Sequence, residues 1–387
     1  DFYNLDGDEI QKDLTEIKWD AEAAEKGGFE HFMMKEIHEQ PRAVQDTIAS
    51  VVKDGRIDFS SLGITPEEIQ NYSQIHIVAC GSAYHAGATT QYVMEDLAKI
   101  PVRTDLASEF RYRKPLLEKN DLVMVISQSG ETADTLAALR EAKAKGVKTL
   151  AIVNVVGSSI AREADHVFYT LAGPEISVAT TKAYSTQLIA GYLLAIEFAR
   201  VREEITNEKY NALLEEIQTI PAKIEKILED KERIQWFASK YSNAKDIFFI
   251  GRGIDYATCM EGSLKLKEIS YIHSEAYAAG ELKHGTISLV EDGTLVVGVL
   301  TQTELFEKTM SNLIEVKSRG AYLMGLTNYG KYNVEDNADF TVYIVGNVDL
   351  ATLKPLVEKY IGSLPAKKRK ITKRVDDGVR YAKGEVI

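Results

Sequence analysis

A turn rich in hydroxyl groups follows an apolar stretch that runs from Asp121 to Ile126. Its serines, threonine and glutamine supply hydrogen-bond donors, and Gly130 allows the backbone to approach an anion without a Cβ in the way. A second small loop, Gly81 and Ser82, follows another apolar stretch. Together the two loops favour an anion site over an ordinary helix cap, which such residues also form. The candidate anion-binding residues are Gly81, Ser82, Ser127, Gln128, Ser129 and Thr132.

Three charged residues, Glu261, Lys265 and Glu268, recur at helical spacing. This spacing puts them on one helix face. Most such stripes are exposed, solvated salt bridges. This stripe, however, begins where the ligand crevice of a parallel sheet is expected. A carboxylate there could move a proton between adjacent carbons of a sugar, so both interpretations stay open.

The segment from Ile272 to Gly285 is dense in ionisable and small residues and has no regular periodicity, so we predict a site-forming loop. Within it, His284 is a candidate for a functional role. Four other histidines are interpreted as packing or surface residues: His76, His85, His166 and His273. The sequence holds neither an HExxH nor an HxxEH pattern, and we therefore predict no metal site.

Short apolar stretches alternate with helical patterns through the chain, as at 75–80, 121–126 and 149–153. This alternation predicts an α/β fold with parallel sheets covered by helices on both faces. A charged helical lead-in precedes it, and we expect Gly27, Gly28 and Pro41 to interrupt that lead-in. A long helical region, about 183–240, leads to the second half of the chain.

The second half repeats the first at a nearly constant offset, which predicts two copies of one fold. The repeat is incomplete at the hydroxyl-rich turn, where Glu304 and Leu305 replace Gly130 and Glu131. A carboxylate at that position would repel phosphate, so we expect one anion site per chain. The aligned positions are 75–81 with 247–253, 125–129 with 299–303, Gly146 with Gly320, Asn154 with Asn328, and Asp165 with Asp339.

Composition narrows the class of protein. The 387 residues, 45% of them hydrophobic, suffice for two domain cores. A net charge of −12 argues against binding to nucleic acid. The two cysteines, Cys80 and Cys259, exclude a disulfide framework and indicate a reducing compartment. No apolar run reaches the roughly 18 residues that span a bilayer. We expect a cytoplasmic protein without membrane contact, and a chain that begins within a longer protein.

Several segments resemble the isomerase portion of the glutamine–fructose-6-phosphate aminotransferase family, which is built from two sugar-isomerase (SIS) domains. The resemblance covers about residues 20–344. It implies two tandem SIS domains, each a parallel sheet flanked by helices in three layers. It also implies conversion of fructose 6-phosphate and glutamine to glucosamine 6-phosphate and glutamate, without metal or organic cofactor, by a homodimer. The resembling segments are 25–41, 107–112, the turn at Ser127, 181–183 and 265–285.

The resemblance also implies roles for single residues. Glu268 resembles the base that moves a proton between C1 and C2 of the sugar, and Lys265 and Glu261 resemble its supporting pair. His284 resembles the residue that opens the sugar ring from the partner subunit. Val178 and Thr180 fall in the sugar-contacting segment. The family commonly has serine where Ala83 stands, so we expect one phosphate contact fewer.

The expected domains are a lead-in (1–70) after an absent glutaminase domain, SIS domain 1 with its connecting helices (71–235), SIS domain 2 (236–344) and an atypical tail (345–387). The tail resembles a strand–helix unit of insulinase-type and pitrilysin-type zinc peptidases and suggests a chimeric sequence. Its basic run at 367–370 is interpreted as a solvated tail. The family's terminal lysine segment is not found, so we expect impaired amino transfer.

Two alternatives to this function stay open. One is a sugar-phosphate deglycase or simple isomerase with the same two domains, which the lead-in through Pro41 disfavours. The other is a phosphosugar-binding module without catalysis. Glu268 and His284 argue against the module, because sensing requires no proton transfer.

Overall fold

A five-stranded parallel sheet forms the centre of the first domain. A computed structural model describes residues 2–3, 6–10, 25–229, 231–328 and 334–344 of the chain. The strand order is β6-β5-β7-β8-β9. The strands are β5 (Gln74–Ala79), β6 (Val102–Leu106), β7 (Asp121–Ser127), β8 (Lys148–Val153) and β9 (His166–Tyr169).

The central strand β7 explains why this sheet has helices on both faces. Leu122, Met124 and Ile126 point into one apolar core, while Val123 and Val125 point into another. All five are fully buried. Such a strand reads as a continuous apolar run, which is typical of parallel sheets buried on both sides. The predicted three-layer α/β fold is confirmed.

The helices of the first half cover those two faces, except the last one, whose Phe237 packs with Ile247 and Leu295 of the second sheet. The described residues also form two short antiparallel strand pairs, β1 (Phe2–Tyr3) with β2 (Glu9–Ile10) and β3 (Val52–Lys53) with β4 (Arg56–Ile57). The helices are α1 (Phe32–Val51), α2 (Pro66–Asn71), α3 (Ser82–Ala98), α4 (Ala107–Arg113), α5 (Ala133–Ala144), α6 (Ser159–Glu163), α7 (Lys182–Val201), α8 (Asn207–Gln218), α9 (Ile220–Leu228) and α10 (Lys231–Tyr241).

The second sheet repeats the first, with the strand order β11-β10-β12-β13-β14. The equivalent aspartates make the same kind of contact, each with a backbone N–H of the corresponding strand. Asp165 accepts a hydrogen bond from Thr149 N at 2.9 Å, and Asp339 accepts one from Leu323 N at 2.8 Å. The predicted repeat is confirmed. Its elements are β10 (Asp246–Gly251), α11 (Ile254–Ser270), β11 (His273–Ala278), β12 (Leu295–Leu300), α12 (Phe306–Lys317), β13 (Tyr322–Asn328) and β14 (Phe340–Ile344).

Two expectations about local structure are wrong. Pro41 does not interrupt the lead-in but lies inside α1. Proline lacks the N–H that would bond the carbonyl of Ile37, and the Gln40 side chain donates to that carbonyl instead, at 3.0 Å. The predicted loop at 272–285 begins as the edge strand β11, parallel to β10. An edge strand has one exposed side, which tolerates its polar residues.

The two domains meet where α11 of the second packs against α3 of the first. Because α3 starts at the carboxyl edge of the first sheet, this contact brings the charged stripe of α11 to that edge. No helix within the described residues is long and apolar enough to cross a membrane. The expected tail at 345–387 and the lead-in residues 11–24 lie outside the described residues.

Candidate active site

A polar cavity of about 290 Å³ lies at the carboxyl edge of the first sheet. Four parts of the chain form its wall: the start of α3, the turn between β7 and α5, the segment before α7 with the first turns of α7, and α11 from the second domain. The lining residues are Cys80, Ser82, Ala83, Ile126, Ser127, Gln128, Ser129, Thr132, Glu175, Ser177, Val178, Thr180, Gln187, Lys265 and Glu268.

Hydrogen bonds within the hydroxyl-rich turn fix its shape. Ser127 Oγ accepts from Gly130 N at 3.0 Å and lies 2.9 Å from Thr132 Oγ1. Thr132 occupies the N-cap position of α5, yet its side chain makes no capping bond. The first N–H groups of α5 therefore have no cap from this threonine, and they can meet an anion at the positive end of the helix dipole.

The carboxylate in this turn, Glu131, is directed elsewhere. Its Oε1 accepts a hydrogen bond from Ser159 N at 2.7 Å, at the start of α6. This bond lowers the pKa of Glu131, which keeps the group ionised. Engagement with α6 explains how a turn that holds a carboxylate can still face an anion.

The segment before α7 is held in place by Glu175. Its carboxylate accepts hydrogen bonds from the backbone N–H groups of Thr181 and Ala183, at 2.9 and 3.1 Å, and from Thr180 Oγ1 at 2.6 Å. Glu175 thus caps α7 from outside the helix. It leaves Val178 98% exposed at the cavity, free to contact a ligand.

The lead-in helix anchors the same segment through Glu36. This buried carboxylate accepts hydrogen bonds from Ile176 N at 2.6 Å and Ser177 N at 3.1 Å, across 140 residues of sequence. Burial raises the pKa of Glu36 above its ordinary value of 4.5, although the two backbone donors oppose that shift. Helix α1 therefore supports one wall of the cavity.

The raised pKa of Glu36 predicts a pH-dependent stability. A group whose pKa is raised by folding stabilises the fold below its ordinary pKa, here 4.5, and this contribution is lost as pH rises through the raised value. We expect the neutral isostere in Glu36→Gln to lack this dependence. The parent's free energy of unfolding, relative to Glu36→Gln, should therefore fall as pH rises from 4.5. Urea unfolding over a pH series measures it.

The exposed carboxylate of Glu30 provides the control for this measurement. We expect Glu30→Gln to give a curve of stability against pH that runs parallel to the parent curve. A constant difference between the parent and Glu36→Gln at every pH would contradict the prediction.

Glu261 is buried, Lys265 is mostly buried and Glu268 is partly exposed beside the cavity, so the stripe on α11 is not an exposed, solvated pattern along its length. Lys265 Nζ lies 2.5 Å from Glu268 Oε2 and 3.4 Å from Glu261 Oε1. The exposed fractions of the Glu261, Lys265 and Glu268 side chains are 7%, 17% and 32%. The second oxygen of Glu261 accepts a hydrogen bond from His85 Nδ1 at 2.7 Å. Glu268 is the carboxylate of the stripe that reaches the cavity.

The structure brings most of the predicted site residues together at this cavity. Gly81 stands beside it as the N-cap of α3, with φ at +56°, and Glu261 lies behind Lys265. His284 does not line the cavity and is exposed on a short 3-10 helix, Leu282–His284. Sequence reasoning missed Cys80, Glu175, Ser177 and Gln187 as lining residues.

Sequence reasoning also set His85 aside as a packing or surface residue. A helical signal could have found it, because His85 comes three residues after Ser82 and so lies on the same face of α3. Of the described residues, no group of three or more histidine, cysteine, aspartate or glutamate side chains is arranged to hold a metal ion.

Fold and cavity define a class: a tandem α/β protein whose first domain contributes a hydroxyl-rich turn to the cavity and whose second contributes a carboxylate paired with a lysine. Comparison with known proteins identifies the family. A family model described as SIS domain matches residues 68–197 and 240–353, which is more than half of the chain. The chain belongs to the SIS domain family.

Two relatives resemble the chain over most of its length. The glutamine–fructose-6-phosphate aminotransferase (isomerizing) of Caldanaerobacter subterraneus subsp. tengcongensis is 56% identical over 345 residues, which cover 89% of this chain and 57% of the relative. The chain thus spans about half the length of such curated relatives. The solved C-terminal domain of glucosamine–fructose-6-phosphate aminotransferase from Francisella tularensis is 41% identical, with a TM-score of 0.79 over 83% of this chain and 90% of that one.

Two further matches are weaker. A solved putative phosphosugar isomerase from Silicibacter pomeroyi is 26% identical, with a TM-score of 0.63 over 76% of this chain and 85% of that one. A family model described as Peptidase M16 inactive domain matches residues 326–387. That match agrees with the resemblance of the tail, and most of it lies outside the described residues.

Proposed function

We propose that the chain is the isomerase portion of a glutamine–fructose-6-phosphate aminotransferase, which binds fructose 6-phosphate and converts the ketose to the aldose form on the way to glucosamine 6-phosphate. One observation carries the proposal. The cavity sets the hydroxyl-rich turn of the first domain and Glu268 of the second domain around one space. The names of the relatives support the choice of substrate.

The proposed chemistry is a proton transfer between neighbouring carbons. The phosphate binds Ser127, Ser129 and Thr132 at the start of α5, which directs the other end of the sugar toward α11. The Glu268 carboxylate removes a proton from C1, giving an enediol, and returns it to C2 while the O1 proton passes to O2. Lys265, at 2.5 Å from Glu268, offsets negative charge that develops near the carboxylate.

The conversion is tested by incubating the chain with fructose 6-phosphate and following glucose 6-phosphate by NMR. We expect conversion above the rate without protein. A chain that binds the sugar phosphate without converting it would be a binding module, and this outcome would overturn the proposed activity.

Binding is tested separately by thermal unfolding with fructose 6-phosphate and with fructose. A ligand at about 100 times its dissociation constant stabilises by roughly 2.7 kcal/mol. We expect this shift with the phosphorylated sugar only. Equal shifts with both sugars would argue against the phosphate site.

We also propose that the chain acts as a homodimer in which His284 opens the sugar ring in the partner's cavity. In support, His284 is exposed and stands apart from the cavity of its own chain. Mixing Glu268→Gln with His284→Asn subunits tests this arrangement. In a mixed dimer one site would carry both substitutions and the other neither, so we expect about a quarter of the parent activity from an equal mixture. No recovery after subunit exchange would contradict it.

A cytoplasmic location and the absence of a nucleic-acid partner also remain proposals. Two free cysteines, Cys80 and Cys259, support a reducing compartment. The net charge of −12 disfavours affinity for a polyanion.

A further inference from the structure

A hydrogen bond from the first domain reaches the charged stripe of the second. His85 lies on α3, one turn after Ser82, and its Nδ1 is 2.7 Å from Glu261 Oε2. The exposed fractions of the two side chains are 14% and 7%. A carboxylate oxygen normally accepts hydrogen bonds, so we assign Nδ1–H of His85 as the donor of this bond.

Glu261 links the hydrogen bond from His85 to the cavity through Lys265. While one oxygen is held by His85, the other faces Lys265 Nζ at 3.4 Å, and Nζ lies 2.5 Å from Glu268. If His85 were absent, both oxygens of Glu261 would be available to Lys265. The ammonium group would then be drawn toward Glu261 and away from Glu268. Buried chains of polar groups couple their members strongly in this way.

We propose that His85 is a positioning residue that holds Glu268 against the ligand bound by the first domain. This inference rests on the proposed isomerase function. Its structural basis is the continuity of α3, which lines the cavity at Ser82 and reaches Glu261 at His85. The same helix therefore fixes both the anion-binding edge and, through Glu261 and Lys265, the carboxylate that moves the proton.

Two substitutions separate positioning from packing. His85→Leu removes the donor, whereas His85→Asn places an amide nitrogen on Cγ, where Nδ1 is attached in histidine. We expect His85→Leu to lower kcat about 10- to 100-fold, with KM for fructose 6-phosphate changed less than about threefold, because small misplacements of catalytic groups cost this much. His85→Asn should keep kcat within about threefold of the parent, because it restores the hydrogen bond.

The control is His76→Leu, which alters a buried histidine of the same domain that bonds to Asp121 and does not line the cavity. We expect it to lower stability without lowering kcat per folded molecule. Equal loss of kcat in His85→Leu and His85→Asn would overturn the proposal, and so would an unchanged kcat in His85→Leu.

A spectroscopic measurement separates failure of this inference from failure of the proposed activity. In ¹⁵N-histidine-labelled protein, we expect a protonated Nδ1 resonance that is lost in His85→Asn and moved in Glu261→Gln. A parent that shows this resonance but converts no fructose 6-phosphate would refute the isomerase function and leave the contact established. Absence of the resonance in an active parent would refute the positioning role.

Discussion

Replacing Glu268 with glutamine should lower kcat for conversion of fructose 6-phosphate by about 10²- to 10⁴-fold, the range expected when a general base is removed. The amide has nearly the same shape as the carboxylate but cannot take a proton. Because the hydroxyl-rich turn is unchanged, KM should stay close to the parent value. Initial rates from NMR or from a coupled assay for glucose 6-phosphate measure both constants.

Glu304→Gln serves as the control, since Glu304 is an exposed carboxylate in the corresponding turn of the second domain. It should leave both constants unchanged. If Glu268→Gln converted the sugar as fast as the parent, another group would have to be the base. A rise in KM with kcat preserved would instead make Glu268 a binding residue.

Gly130→Ala should abolish binding of the sugar phosphate and destabilise the fold. Gly130 has φ at +66°, and a Cβ there would overlap Ser158 Oγ and lie 2.5 Å from Ser158 Cβ. The left-handed backbone costs about 1–2 kcal/mol for alanine. The steric overlap adds about 1–3 kcal/mol, because a close-packed site must shift to admit the methyl group. Urea unfolding gives the stability, and the ligand-induced thermal shift reports binding.

The matched control is Gly146→Ala, at φ +73°, where the added methyl group would meet no other part of the described chain within 4 Å. This variant should lose only the stability that the left-handed backbone costs an alanine, and it should still bind the ligand. The double variant Gly130→Ala with Ser158→Gly removes the overlapping atoms and should recover the steric part of the loss. Equal destabilisation by both alanine variants would contradict the steric part of the prediction, because Ser158 would then move aside without loss of stability.

Sequence periodicity was sufficient to predict the sheets and the repeat. The strands of a parallel sheet buried on both faces are recognisable locally, and the ends of neighbouring strands converge at one edge whatever the details of the loops. The hydroxyl-rich turn could therefore be placed at a strand end from the sequence alone, whereas its pairing with the stripe on α11 was implied by the resemblance to the aminotransferase family.

Contacts between distant segments could not be predicted in this way. Glu36 bonds to Ile176 across 140 residues and His85 to Glu261 across 176, and neither pair has a local pattern. The effect of Pro41 was predicted wrongly because the Gln40 side chain donates the hydrogen bond that the proline cannot, and this depends on the Gln40 rotamer. The edge strand β11 was missed because its polar composition is tolerated only by its position in the sheet.

The cavity is divided between two domains, so the residues proposed to bind the ligand and those proposed to react with it belong to different parts of the chain. The first domain lines the cavity with residues between Cys80 and Gln187, while the lysine and carboxylate come from one helix turn, Lys265 to Glu268. Under the proposed function, exchanging α11 between homologous chains should change the reaction and leave the ligand preference unchanged, and exchanging the β7–α5 turn should do the reverse. Because His85 lies on α3 and Glu261 on α11, an exchange of α11 that is to preserve their hydrogen bond must also keep a histidine at position 85.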